Sequence, residues 1–122
     1  MSSPKIFATE HHATALVVTP LGNISSFAGD HVQPELERLL DLLARDVTRN
    51  VVLDMAHVSY VGSVMLAATQ VLWKRARANQ KRLVLCNLST VGQEVLRVSK
   101  FDQIWPVYPS RQEALRALAD GE

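Results

Sequence analysis

Residues 51–66, VVLDMAHVSYVGSVML, constrain the fold more than any other stretch. Val51, Val52 and Leu53 run without a polar break into Asp54 and Met55. A strand carries that pattern when both of its faces are covered or it lies central in a sheet. A short link follows, and a helix begins at Gly62-Ser63. Strand, crossover helix and strand give a parallel pair. Ser63 therefore stands at a strand-to-helix corner. There the first helical N–H groups lack partners and the helix dipole favours negative charge. A phosphate on Ser63 would suit that place. A serine there can equally be a plain helix N-cap, a role worth about 1 kcal/mol. The sequence supports both readings, a regulatory switch and a cap.

The totals narrow the function classes. A chain of 122 residues fits one domain, 1–122, and a hydrophobic share of 48% can build a core. Thirteen Lys and Arg against twelve Asp and Glu leave a formal charge of +1, which argues against a nucleic-acid binder and against an acidic tail. Cys86 stands alone, so no internal disulfide forms and a reducing compartment is permitted. The first residues show no signal-peptide pattern, and no apolar run is long enough for a membrane span. A soluble, cytoplasmic protein is the expectation.

Along the chain, Lys5 to Thr9 and Ala13 to Thr19 read as a strand pair turning at His11-His12, with Pro20 and Gly22 breaking the second strand. Asp30 caps the next helix, with Gln33 in capping-box spacing. Val32, Leu36, Leu39, Leu40, Leu43 and Val47 form its apolar stripe; Glu35, Glu37, Arg38, Asp41 and Arg45 occupy the other side. After the strand Val51 to Met55, a helix from Ser63 to Asn79 buries Met65, Leu66, Thr69, Leu72, Trp73 and Ala76. Lys74, Arg75 and Arg77 near its end complement the dipole. Arg82 to Asn87 reads as another interior strand. A helix from Thr90 to Ser99 turns Val91, Val95 and Val98 inward. Ile104 to Tyr108 reads as an edge strand marked by Pro106, with Trp105 partly exposed. Ser110 to Glu113 is a capping box for a last helix, with Ala114, Leu115 and Leu118 as its face. The order β-β-α-β-α-β-α-β-α predicts an α/β fold, with a single mixed sheet of about five strands packed against about four helices.

Catalytic constellations are poorly represented. Asp54, His57 and Ser63 do not make a triad, because Gly62-Ser63-Val64-Met65 is not the Gly-x-Ser-x-Gly elbow. His11-His12 has no accompanying ligand cluster, and no Walker loop, dinucleotide fingerprint or zinc spacing occurs. No enzyme activity, metal or cofactor is expected. Cys86 in its apolar strand reads as an inert packed thiol. The cations Lys74, Arg75, Arg77, Lys81 and Arg82 read first as a solvated helix end, with an acidic partner surface as the alternative.

The stretch from Val51 to Val107 resembles a STAS domain, the fold of anti-sigma factor antagonists. The matching features are Leu53-Asp54 ending an apolar strand, Tyr60 in the link and Gly62-Ser63-Val64-Met65-Leu66 opening the helix. Lys74-Arg75-Ala76, Arg82-Leu83-Val84-Leu85 and Val95-Leu96 through Phe101-Asp102-Gln103-Ile104-Trp105 follow in family order. Val17 to Ile24 matches a further Gly-x-Leu-Asp segment. The resemblance implies a protein-binding module in a bacterial partner-switching pathway of transcription regulation. Its implied partner is an anti-sigma factor or related serine-kinase-like protein, which phosphorylates the serine matched by Ser63. It implies a partner surface of Ser25, Ser26, Asp30, Val61, Gly62, Ser63, Val64 and Met65, on a monomer or weak dimer without nucleic-acid or membrane partners. Three positions depart from the family pattern. Gly62 stands where Asp is usual, Met65 where Gly is usual, and Ser25 replaces the Asp of Gly-x-Leu-Asp. Those changes favour the alternative, a STAS scaffold or interaction subunit that works without phosphorylation.

Overall fold

The computed structural model describes residues 6–22, 29–45 and 49–120. Ser25 and Ser26 lie outside the described residues, as do Ser2 to Lys5 and Val47. The strands are β1 (Phe7–His11), β2 (Ala15–Pro20), β3 (Asn50–Asp54), β4 (Leu83–Cys86) and β5 (Val107–Tyr108). The helices are α1 (Gly29–Arg45), α2 (Ser63–Ala78), α3 (Thr90–Ser99) and α4 (Arg111–Ala119). The five strands lie side by side in chain order; β1 and β2 are antiparallel and every later neighbour is parallel. This is the mixed sheet that the order of apolar runs predicts.

Alternation along the central strands decides which layer each residue enters. Leu16, Val18, Val51, Leu53, Leu83 and Leu85 join the larger core, with Leu36, Leu39 and Leu43 of α1, Met65, Leu72 and Ala76 of α2, and Leu96 of α3. Ala15, Val17, Val52, Val84 and Cys86 point the other way and meet Ala114 and Leu118 of α4. Three helices thus share one core and α4 packs on the second. The parallel strands β2, β3 and β4 are buried on both sides, which is why they read as unbroken apolar runs.

Several local expectations are corrected. His11 still belongs to β1, opposite Leu16, and the turn comes one residue later, closed by the His12 N–H donating to the Ala15 carbonyl at 2.8 Å. Pro20 is the last residue of β2, opposite Phe7, rather than a break after it. Pairing with β3 ends at Val18, so no N–H is needed there for that ladder. Asp30 falls inside the first turn of α1, which starts at Gly29, rather than before it. Glu35 is buried rather than solvent-facing. Its Oε1 accepts from the Ile6 N–H at 3.1 Å and Oε2 pairs with Arg38, so the carboxylate ties the approach to β1 onto α1.

The region after β4 differs most. Ser89 caps α3, its hydroxyl accepting from the Gly92 N–H at 2.9 Å. Gly92 and Leu96 face inward, while Val91 and Val98 are exposed and Val95 is half-buried. A Cβ at Gly92 would come within 3.1 Å of Leu88 and 3.2 Å of Val61. The glycine therefore lets α3 sit close, and its position sets the helix face that the valines were expected to set. Phe101–Gln103 forms a 3-10 turn, leaving β5 only two residues long. Trp105 is fully buried, whereas Trp73 is only half-buried, with the Arg77 guanidinium 5.0 Å from its ring centre. The expected placements of the two tryptophans are thus reversed.

Candidate functional site

Asp54 ends β3 and begins the geometry of the corner. Its Oδ1 accepts from the Ala56 N–H and from Asn87 Nδ2, both at 3.0 Å. Its Oδ2 accepts from Arg111 Nε at 2.9 Å. Arg111 also donates to Glu10 Oε2 at 2.6 Å and to Thr19 Oγ1 at 3.3 Å. One guanidinium thus joins β1, β2, β3 and the start of α4. Burial pushes the Asp54 carboxyl up, but the hydrogen bonds from Asn87, Arg111 and Ala56 and the Arg111 charge outweigh it, leaving the pKa below the ordinary aspartate value. Burial first, and then the Asp54 charge, push the neighbouring Cys86 thiol up to about 12. Cys86 is a packed thiol without thiolate character, as its apolar strand suggests.

The link from Asp54 to α2 is pinned from beneath. The Met55 N–H donates to the Cys86 carbonyl at 2.9 Å, the Val58 N–H to the Met55 carbonyl at 3.0 Å, and Val58 and Val61 are buried. Ser89 Oγ donates to the Ser59 carbonyl at 3.1 Å, so the α3 cap also holds the link. Tyr60 remains exposed above it.

Gly62 is the N-cap of α2, with φ −100° and ψ −172°, and contributes no capping side chain. Ser63 is the first helical residue and is exposed. The plain-cap reading of Ser63 is therefore corrected: an N-cap needs the extended backbone that Gly62 adopts. No acidic residue occupies the first turn. No side chain caps the N-terminal amide groups, and the helix dipole there favours negative charge. Of the residues expected to meet a partner, Ser63 and Val64 are exposed and Gly62 is half-exposed. Val61 and Met65 are buried, so they shape the corner from within the core instead of meeting a partner directly. Exposed Val91 was missed as a surface residue. The Gly92–Val61 approach places its part of α3 beside the link. The signal for it was Gly92, the small residue that had to face inward.

The missing cap offers a direct test. Gly62→Asp is expected to stabilise the protein by only a few tenths of a kcal/mol, since glycine is itself a tolerable N-cap. A Cβ there meets Tyr60 Cε2 at 2.8 Å, a clash the exposed ring relieves by swinging outward. Urea unfolding checks the gain. A loss above about 1 kcal/mol would mean that the Tyr60 ring cannot move aside.

A family model described as the STAS domain matches residues 7–114. BtrV of Bordetella bronchiseptica, named as a candidate anti-sigma factor antagonist, is 32% identical over 103 residues, covering 84% of this chain and 85% of that protein. The structure of an anti-sigma-factor antagonist (STAS) domain protein from Planctomyces limnophilus has a TM-score of 0.80 at 28% identity, covering 93% of this chain and 97% of its own. An anti-sigma factor antagonist from Mycobacterium paratuberculosis shares the fold, with a TM-score of 0.75 at 21% identity over 98% of this chain and 99% of its own. The mixed sheet with its four helices is thus a shared fold, and the chain belongs to the STAS domain family, with relatives named as anti-sigma factor antagonists.

Proposed function

We propose that this chain is an anti-sigma factor antagonist in a bacterial partner-switching pathway. It engages an anti-sigma factor or related serine-kinase-like protein through the corner around Ser63. The carrying observation is the placement of Ser63: exposed, first in α2, and preceded by a cap with no side chain. A phosphate on its hydroxyl would bring roughly −1.5 to −2 charge to the positive end of the helix. Exposed Tyr60, Val64 and Val91 supply apolar surface for a partner. In that contact the added charge would oppose docking through desolvation and repulsion. This role asks no catalysis of the chain itself.

A second reading is a scaffold that binds without phosphorylation. Gly62 supports it, because the carboxylate usual in the family is absent beside the serine, and Met65 supports it through its bulk where glycine is usual.

Serine-kinase-like proteins from the same genome, incubated with the chain and ATP, separate the two. Under the switch reading the parent is labelled, Ser63→Ala is not, and Ser63→Asp weakens the complex about tenfold or more. Equal labelling of Ser63→Ala removes the switch assignment. A complex indifferent to Ser63→Asp selects the scaffold.

A further inference from the structure

Between Asp54 and Glu94 the sequence contains no acidic residue, yet it contains Lys74, Arg75, Arg77, Lys81 and Arg82. Those five cations have different surroundings. Arg77 lies over the Trp73 ring, and Lys81 and Arg82 are half-buried. Lys74 and Arg75 are exposed, and with Leu40, Val71 and Ala78 they line a shallow groove of about 400 Å3 between α1 and α2. Val71 is 38% exposed there.

The groove continues a longer feature. At 3.6 residues per turn, Val64, Ala67, Val71 and Ala78 share one side of α2. All four are exposed. The outer face of α2 is therefore apolar along its length and cationic towards its C-terminal end. Complementing the helix dipole accounts for cations at that end. It does not account for Val71 open to water there, with half-buried Leu40 beside it in the groove.

We propose that this strip docks an acidic, amphipathic segment of a partner protein. An apolar side chain of the segment seats in the groove over Val71, and its carboxylates meet Lys74 and Arg75. The apolar floor favours a protein segment over a nucleic acid, whose phosphates would answer the cations and leave Val71 in water. The overall charge of +1 also gives little long-range attraction for a polyanion or an anionic membrane. Val71 lies eight residues beyond Ser63, about 12 Å along the helix. The strip thus goes beyond the Ser63 switch and stands whether or not that switch operates.

The test is an NMR titration of the isotopically labelled full chain with a synthetic peptide of about sixteen residues, long enough to hold a helix. The peptide carries Leu on one face and Glu on the other. The expected result is saturable shifts centred on Leu40, Val71, Lys74 and Arg75. Val71→Glu, and separately the Lys74→Glu and Arg75→Glu pair, should each weaken binding about tenfold. Added salt should weaken it as well. These positions are exposed, and circular dichroism confirms that each variant is folded. Scattered or non-saturating shifts overturn the proposal, as does equal binding by the variants. Tighter binding of a matched Lys peptide, a single-stranded oligonucleotide or anionic phospholipid vesicles also overturns it. Concentration-dependent shifts of the same residues without peptide would assign the strip to a second copy of the chain and would equally sink it.

Discussion

Trp105→Ala is expected to destabilise the protein by about 3–5 kcal/mol, the range for deleting a large aromatic from a packed core. Trp105 is the largest fully buried side chain among the described residues. Its ring stacks on Phe101 at a centroid distance of 4.5 Å with 6° between the planes, and meets Trp73 edge-on at 6.4 Å. Such aromatic pairs add about 0.5–1.5 kcal/mol beyond their buried area. The Trp105 N–H donates to the Phe101 carbonyl at 2.9 Å, so the backbone holds the same turn that the rings cover. The indole Nε1 finds no acceptor among the described residues. An unmet buried donor costs about 1–3 kcal/mol. Trp105→Phe should therefore lose contact area while shedding that cost, and fall within about 1.5 kcal/mol of the parent. Urea unfolding followed by circular dichroism reads both variants. A Trp105→Ala loss below about 1 kcal/mol would show that the site collapses around the deletion.

The role of Trp105 also shows where the sequence stops being informative. Pro106 marks an edge strand, and β5 does lie at the edge of the sheet, but an apolar run of Ile104 to Tyr108 does not reveal that only its last part forms the strand. Lys100, in the left-handed region at φ 67°, ends α3, and the chain then turns Trp105 inward and Ile104 outward. A non-glycine residue in that conformation leaves little local signal. By contrast, the central strands were legible because burial on both faces removes polar residues from Val51 to Leu53 and from Leu83 to Cys86. Ser110 was legible because its capping box is a local device, realised as the Glu113 N–H donating to Ser110 Oγ at 3.2 Å. The face of α3 was not, because a single close approach at Gly92 outweighs three valines at helical spacing. Glu35 was not, because its partner Ile6 is 29 residues away in sequence.

The corner divides along the same line. Its position, between a buried strand and a helix start, follows from periodicity and from the change at Gly62-Ser63. Asp54 accepts from the Ala56 N–H only two residues on, the local part of its bonding. Its charged partner, Arg111, is 57 residues away at the start of α4, so nothing local announces it. The burial of Val61 was likewise hidden, since only the packed position of α3 and the core fixes which way the link faces, whereas Met65 lies on the stripe that helical spacing marks as buried.

Arg111→Ala is expected to cost about 2 kcal/mol at neutral pH, within the range for hydrogen bonds to a charged group. The substitution leaves the carboxylate of Asp54, itself nearly fully buried, with only Asn87 and Ala56 as donors. The pH dependence carries the mechanism. In the folded parent the Asp54 pKa lies below the ordinary aspartate value of 3.8, so its contribution is complete above that unfolded value and is lost as pH falls through the lower folded one. Without Arg111 the effect of burial is less opposed, the folded pKa rises, and the same carboxylate contributes less above the unfolded value. The stability gap between parent and Arg111→Ala should therefore be widest near neutral pH and narrow as pH falls through the acid range towards the lowered folded pKa of Asp54. Glu10→Ala is the control. Glu10 is exposed, and a rim pair is worth about 0–1 kcal/mol, so its loss should leave most of the acid dependence in place. Urea unfolding across that pH range decides the matter. A gap that stays constant down to about pH 3 would mean that Arg111 stabilises by packing and by Thr19, not through the Asp54 charge. A narrowing gap would place the clamp behind the link that leads to Ser63, since the carboxylate that Arg111 holds is the one that accepts from the Ala56 N–H within that link.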